Sequence, residues 1–241
     1  MITIKDLKEA AEKGLSFLRG QDDVVDAEVY VSANGVLLTR LNYTSHIPCN
    51  GVEEPKSVVN YGIGVQVVLR DGRIGFGSET SDISLDGVQS ALDKARKGAT
   101  DDPEFVSLAQ PTGEKRTLMD YADPKIADMK DEDLPEAGWR VLNGGLRVFE
   151  TSESLTTLVE RPENLPELGL IVGGDVTVLH ERMAIASTAM PDVQSDESTL
   201  VMSFITSMVE REGSKGSGYA ATTKLSELTD EAGREAAQNA V

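Results

Sequence analysis

The residues closest to a known chemical motif are His180 and Glu181, which begin the sequence His-Glu-Arg-Met-Ala. In an HExxH helix, two histidines one turn apart bind one zinc ion, and the glutamate acts as general base. Here Ala184 takes the place of the second histidine, and Ile185 follows it. The surrounding pattern is typical of a strand junction, which directs His180 and Glu181 to opposite faces. Since His46 is the other histidine of the chain, we predict no metal ligand and no catalytic residue in this sequence.

A second candidate is the Gly-Ser-Lys-Gly-Ser-Gly stretch at residues 213–218. Its composition is similar to a phosphate-binding loop, but Lys215 precedes a glycine where the motif requires serine or threonine. No strand-to-helix turn is predicted around it. Two interpretations remain: a flexible connection between a strand and a helix, or a strand-like surface for an extended peptide. The residues of this possible peptide-contacting loop are Gly213, Gly216, Ser217, Gly218 and Tyr219.

The other polar residues do not suggest a catalytic group. The one cysteine, Cys49, lies in a turn between proline and glycine without a neighbouring histidine or basic residue, so we interpret it as an incidental thiol. Acidic pairs such as Asp22-Asp23 and Asp101-Asp102 lie in polar stretches. Adjacent side chains in such stretches rarely converge on one atom. No Ser–His–Asp set can be nominated either.

Composition excludes some classes of function. Lysine and arginine total 23 against 41 acidic residues, a formal charge of −18, and such a surface repels nucleic-acid phosphates. The 241 residues suffice for one large domain or two small ones. The sequence contains neither a secretory signal nor an apolar run of membrane length, so we predict a cytoplasmic protein without membrane contact.

The first 100 residues predict a sheet of hairpins between two helices. Thr3 caps a helix with apolar residues at helical spacing up to Leu18. Val25 to Val31 alternates like a strand, and Asn34-Gly35 predicts a hairpin turn to a second strand, Val36 to Tyr43. Residues 44–56 are expected to form a loop.

The stretch Val58–Thr80 is predicted to be the central hairpin of the domain. Apolar residues at every second position from Val59 to Leu69 favour a strand with one face in the core. Asp71-Gly72 supplies the turn, and Gly75 and Gly77 in the return strand permit either a bulge or close backbone approach. A helix capped by Ser84 follows. This order predicts an α+β fold with an antiparallel sheet and helices packed on it.

The remainder is predicted to contain a linker, a helix and a second group of strands. Residues 101–165 comprise an acidic, proline-rich connection and a helix from Asp131 to Glu150. Residues 166–241 comprise strands at Leu170–Val178, Arg182–Met190 and Thr199–Glu212, the Gly/Ser loop and a final helix. We expect the whole chain, residues 1–241, to be one N-terminal domain, because the last helix ends at Val241 without a cap and something is expected to follow it.

Several short sequence segments resemble the N-terminal half of the TldD/PmbA family. They are Ala27-Glu28-Val29-Tyr30-Val31, Leu38-Thr39-Arg40, Gly64-Val65-Gln66-Val67 and Asp71-Gly72-Arg73-Ile74-Gly75-Phe76, then a helix with Ala91, Ala95 and Ala99, Asp102-Pro103-Glu104-Phe105 with Leu108, and Gly216-Ser217-Gly218-Tyr219. The likeness spans nearly the whole chain.

The resemblance implies a two-domain cytoplasmic protein of about twice this length. TldD-type members carry an HExxxH zinc motif in the C-terminal half and cleave unfolded or leader peptides together with a PmbA (TldE) partner that lacks the motif. The family's older label is modulator of DNA gyrase. This chain has no HExxxH, so no catalytic or metal-ligand residue carries over. Zinc is expected in the C-terminal half, with a motif that begins soon after residue 241, or in the partner subunit.

The resemblance leaves two main functional hypotheses. The first is the non-catalytic N-terminal half or subunit of a zinc metallopeptidase, which contributes substrate chamber and dimer contacts within a homo- or heterodimer. The second is a PmbA-like modulator or peptide-binding adaptor without enzymatic activity. In either case, the sheet edge near Asn42 and Asn60 and the glycine-rich turns are candidates for strand addition by a peptide. A stand-alone hydrolase that uses His180 is the least favoured hypothesis.

Overall fold

The computed structural model describes residues 2–47, 51–113 and 121–241. Its strands are β1 (Val24–Thr44), β2 (Gly51–Val52), β3 (Lys56–Leu69), β4 (Ile74–Thr80), β5 (Leu170–Ser187), β6 (Gln194–Val209) and β7 (Ser214–Thr222). Its α-helices are α1 (Ile4–Arg19), α2 (Leu85–Gly98), α3 (Pro124–Ala127), α4 (Leu134–Thr151), α5 (Glu153–Thr157) and α6 (Glu231–Ala240). Short 3-10 helices lie at Asp131–Asp133, Pro162–Leu168 and Leu225–Glu227. None of the helices in these described ranges is long and apolar enough to cross a membrane.

The described strands form one seven-stranded antiparallel sheet, so the predicted α+β class is confirmed. The strand order is β4-β3-β1-β5-β6-β7, and β2 pairs with β1. The residues group into two compact units. Unit 1 consists of Met1–Gly35, Val59–Asp120 and Glu181–Ser198, and unit 2 of Val36–Val58, Tyr121–His180 and Thr199–Val241.

In unit 1, helices α1 and α2 cover one face of the strands. Thr3 caps α1 as predicted, since its hydroxyl accepts the Asp6 amide at 3.2 Å while the Asp6 carboxylate accepts the Thr3 amide at 2.8 Å. Buried side chains from both helices form one core with every second residue of β1 and β3. These residues are Leu7, Ala11, Leu15 and Leu18 of α1, Val88, Ala91, Leu92 and Ala95 of α2, Ala27, Val29, Val31 and Ala33 of β1, and Ile63, Val65, Val67 and Leu69 of β3.

The hairpin of β3 and β4 turns at Asp71-Gly72, as predicted. Gly72 has φ +88, a conformation that favours glycine. Gly77 lies so close to α2 that a Cβ atom there would be 2.7 Å from the Ala95 amide nitrogen. The predicted close backbone approach is therefore confirmed: the glycines of β4 let the backbone of α2 pack directly on the strand. The hairpin is at one end of the strand order rather than central, and Val59 is 63% exposed rather than buried.

In unit 2, helices α4 and α6 pack on each other and on one face of the strands. The predicted helix is present as α4, and its Gly144 and Gly145 lie where α6 crosses it. A Cβ at Gly144 would be 2.8 Å from the Cβ of Asp230, so these glycines permit the close crossing. The core of this unit is built from Val141, Leu142 and Phe149 of α4, Leu170, Val172, Val176 and Val178 of β5, Val201, Ile205 and Val209 of β6, and Ala232, Ala236, Ala237 and Ala240 of α6.

The prediction of a hairpin at Asn34-Gly35 was wrong. Residues 24–44 form one continuous strand, and neither Asn34 nor Gly35 has the positive φ that a two-residue turn requires. The burial pattern explains the difference. Residues on both sides of this point are buried at odd-numbered positions, including Val31 and Leu37, whereas a tight turn after residue 33 would place 33 and 36 on the same face. The long pairing of β1 with its neighbours prevails over the local turn preference.

Two further boundaries differ from the predictions. Arg182–Met190 is not a separate strand, because β5 runs unbroken from Leu170 to Ser187. The predicted loop at 44–56 contains β2, which pairs with β1 through Leu41 opposite Val52. Cys49 lies outside the described residues.

Candidate functional site

The HExxH-like sequence lies in the middle of strand β5 rather than on a helix. His180 and Glu181 are consecutive strand residues, so their side chains point to opposite faces of the sheet. Ala184 is fully buried. His46 is placed elsewhere in unit 2, where its Nε2 lies 3.5 Å from Oε2 of Glu210. Within the described ranges, no group of three or more His, Cys, Asp or Glu residues is arranged to hold a metal ion.

The predicted peptide-contacting loop is a strand, which corrects its secondary structure. Gly213 forms the turn after β6 with φ +66, and Gly216, Ser217, Gly218 and Tyr219 belong to β7. Gly216 and Gly218 have a packing role, because a Cβ at either position would meet the backbone of α6. At Gly216, that Cβ would lie 2.6 Å from the Ala240 amide nitrogen. The alternate residues, Ser217 and Tyr219, therefore face away from α6.

Strand β7 ends the strand order and carries an exposed aromatic pair. Tyr219 lies directly opposite Phe204 of β6, and the two side chains are 58% and 53% exposed. Directly opposed aromatic side chains on a strand pair form a stable apolar surface. Along the other edge of β7, the Ser217 carbonyl accepts a hydrogen bond from Asn239 at 3.1 Å, and the Ser214 hydroxyl donates to the Ala240 carbonyl at 2.5 Å. This strand is therefore partly covered by the end of α6.

A groove in unit 1 was not predicted from the sequence. It lies on the face of the strands opposite α1 and α2, where Tyr30 of β1 and Phe76 of β4 stand on either side of Gly64 of β3. A side chain at Gly64 would begin 3.5 Å from the Phe76 ring and 4.0 Å from the Tyr30 Cβ, so the missing side chain is what opens the groove. Phe76 is 66% exposed and Tyr30 40%. The cavity measures about 330 Å³.

The polar groups around this groove are neutral or acidic. Asn34 and Asn60 line it with amide groups that both donate and accept hydrogen bonds. Glu79 contributes to the lining, but its carboxylate faces α2, where it accepts hydrogen bonds from Ser90 at 2.5 Å and Lys94 at 2.7 Å. The hydrogen bond from Lys94 is the largest cause of the lowered pKa of Glu79.

Glu28 lies on the same face of β1 as Tyr30, two residues away. It is half-buried, and this burial raises the pKa of its carboxyl group above the ordinary value, because a carboxylate loses hydration there. The sequence carries a signal for this face as well as for the core. The glycines beside Phe76 predict contacts with a helix, and Phe76 itself, between them, necessarily points to the opposite face.

The hairpin and second helix of unit 1 are similar to a known protein family. Residues 50–99 match the family described as PmbA/TldA metallopeptidase domain 1. This range contains β2, β3, β4 and α2, including the phrases from Gly64 to Phe76 on which the resemblance rested. The predicted resemblance to the TldD/PmbA family is confirmed. A search of curated proteins found no match.

Two solved structures share the fold of the chain. A putative modulator of DNA gyrase from Bacteroides thetaiotaomicron VPI-5482 is 15% identical with a TM-score of 0.70, and the match covers 100% of this chain and 50% of that one. TldE from Thermococcus kodakarensis is 12% identical with a TM-score of 0.57, and the match covers 90% of this chain and 42% of that one. At these identities the likeness concerns fold. The chain spans about half the length of these two solved structures.

Proposed function

We propose that this chain is the N-terminal, non-catalytic half or subunit of a TldD/PmbA-type zinc metallopeptidase that processes unfolded or leader peptides. The observation that carries the proposal is the match of residues 50–99 to the first domain of a metallopeptidase family. In this proposal the zinc is bound by a C-terminal half or a paired subunit. The present chain contributes walls of the substrate chamber and contacts of a homo- or heterodimer in the cytoplasm.

The proposed division of labour agrees with the side chains of this chain. Peptide hydrolysis by zinc needs ligands and a general base around one open coordination position. His180 and Glu181 diverge from each other on β5, and Ala184 offers no ligand atom. By contrast, β7 and its exposed Tyr219 offer an extended surface with backbone groups and an aromatic side chain, which suits contact with an unfolded peptide.

The test compares the purified chain alone with the same chain mixed with a TldD-type C-terminal half that carries HExxxH. Zinc is measured by plasma mass spectrometry and cleavage by the release of fragments from an unfolded peptide. We expect stoichiometric zinc and cleavage in the mixture and neither in the chain alone. Stoichiometric zinc bound by the chain alone, with cleavage that His180→Ala abolishes, would contradict the proposal.

The second candidate is a PmbA-like modulator or peptide-binding adaptor that has no enzymatic role. It is favoured by the aromatic pair of Phe204 and Tyr219 together with the edge strand β7, because an exposed edge strand with aromatic side chains suits peptide binding and needs no metal. The sequence of the associated half or subunit discriminates between the two. An HExxxH motif there supports the peptidase, and peptide binding by a complex that lacks the motif supports the adaptor.

A further inference from the structure

The groove between Tyr30 and Phe76 has the size and shape of a pocket for one side chain of an extended chain. Its volume of about 330 Å³ is at the lower end for ligand sites. Two aromatic walls and a glycine floor favour a flat group, since a planar group can stack on the Phe76 ring while the floor stays clear. The amides of Asn34 and Asn60 lie at the same groove, where they can bond to the backbone of a bound peptide.

The charge around the groove favours a flat group that is positively charged. No lysine, arginine or histidine is among the described residues that line it, and the chain carries a formal charge of −18. The faces of aromatic rings attract cations, and arginine combines a flat guanidinium group with a positive charge. Glu28 supplies a carboxylate on the same face, about 7 Å along β1 from Tyr30 by strand geometry. Glu28 lies next to the described residues that line the groove rather than among them, so the long arginine side chain must pass Tyr30 to approach its carboxylate.

We infer that this groove binds an arginine side chain of an unfolded peptide, with the guanidinium group stacked on Phe76 and Tyr30 and directed toward Glu28. The inference deepens the proposed function and rests on it, because it names the peptide class that the assembly selects. Lysine is disfavoured relative to arginine, since an ammonium group neither stacks on a ring nor forms a forked pair with a carboxylate. A neutral side chain loses the attraction of its charge to the rings and to Glu28.

The experiment uses two short fluorescent peptides of glycine and serine that differ in one residue, arginine or its neutral isostere citrulline. Fluorescence anisotropy measures their dissociation constants with the full chain. We expect the arginine peptide to bind about tenfold more tightly, because its charge contributes both to ring stacking and to a charge-assisted hydrogen bond. In Phe76→Ala we expect its affinity to fall about fivefold. In Glu28→Gln, where the attraction of the charge to the rings remains, we expect the preference over citrulline to fall to about threefold.

Tyr121→Ala is the control, because Tyr121 is an exposed aromatic residue of the other unit that the proposed peptide contact at β7 does not use. It should leave the arginine preference unchanged. A preference that stays about tenfold in both Phe76→Ala and Glu28→Gln overturns the inference, as do equal affinities for the two peptides. Peptide binding that Phe204→Ala abolishes and Phe76→Ala leaves intact overturns the inference as well, while the proposed contact at β7 stands. If neither peptide binds the unmodified chain, the inference fails together with the peptide contact proposed for this chain.

Discussion

Replacement of Gly77 by alanine is expected to destabilise unit 1 severely. The added Cβ would lie 2.7 Å from the Ala95 amide nitrogen and 3.0 Å from the Ala91 carbonyl carbon. Carbon atoms in folded proteins pack at roughly 3.5–4.0 Å, so α2 must move away from β4 by about 1 Å. Both contacts are with helix backbone, which cannot rotate aside as a side chain can. Overpacking of this kind costs roughly 1–3 kcal/mol, and we expect about 3 kcal/mol here.

Two other glycines of the same unit serve as internal controls. Gly72 has φ +88 and no atom within 4 Å of the position that a Cβ would take, so alanine there costs about 1 kcal/mol through backbone strain alone. Gly98 is the last residue of α2 and also has open space around it, so alanine there is expected to add about 0.5 kcal/mol of stability. The three variants thus separate packing, strain and helix propensity.

The measurement is urea denaturation at neutral pH, monitored by circular dichroism. The unfolding free energies are compared with one common m-value, the slope of free energy against urea concentration, for all variants. The expected order of unfolding free energy is Gly98→Ala, unmodified chain, Gly72→Ala and then Gly77→Ala. If Gly77→Ala is as stable as Gly72→Ala or more so, the close contact between β4 and α2 does not hold the helix in place, and the reasoning is refuted.

Three further predictions concern charge and capping in unit 1. Glu28→Gln should raise the unfolding free energy at neutral pH, because burial holds the pKa of Glu28 above 4.5, and the gain should vanish in urea titrations below that pH, where folded and unfolded chains both hold the proton. Asp23→Asn should cost no more than about 1 kcal/mol at neutral pH, because the hydrogen bond from Arg96 lowers the pKa of Asp23 but water screens this half-exposed pair. The stability that this ion pair contributes is fully present above pH 3.8 and is lost as the pH falls through the lowered pKa of Asp23. If Asp23→Asn is destabilised as much at strongly acid pH as at neutral pH, the prediction is wrong. Thr3→Ala should cost about 1 kcal/mol in thermal or urea unfolding, whereas Thr3→Ser, which keeps the cap to Asp6, should cost much less.

Local signals in the sequence predicted the elements whose contacts are close in the chain. The cap at Thr3, the turn at Asp71-Gly72 and the helix after Ser84 depend on residues within a few positions, and all three are present. At Asn34-Gly35 the local turn preference is outweighed by the phase of the flanking residues. Leu37 and Leu41 lie in phase with Val31, which favours one straight strand, and the pairing that stabilises it comes from distant parts of the chain.

For the candidate sites too, features set by neighbouring residues could be predicted, and features set by distant contacts could not. An HExxH zinc motif is excluded by one substitution at Ala184, which is a local observation. The groove at Phe76 was missed because it requires three strands, and the register that brings Gly64 opposite Ser78 and beside Phe76 is not visible in any single segment. Similarly, Gly216 and Gly218 favour a loop by local sequence alone, whereas in the structure they lie in β7 and pack against α6, a contact that no single segment shows.

Strands β4 and β7 contact their helices through glycines at the same spacing. Gly72, Gly75 and Gly77 precede Ala91, Ala95 and Ala99, and Gly213, Gly216 and Gly218 precede Ala232, Ala236 and Ala240 at the same intervals. In both sets the alanines are buried, and the helix backbone lies directly on the second and third glycines. The two hairpins also occupy the two ends of the strand order. At both ends the residue between the second and third glycines, Phe76 or Ser217, points away from the helix, so it can vary without disturbing this packing.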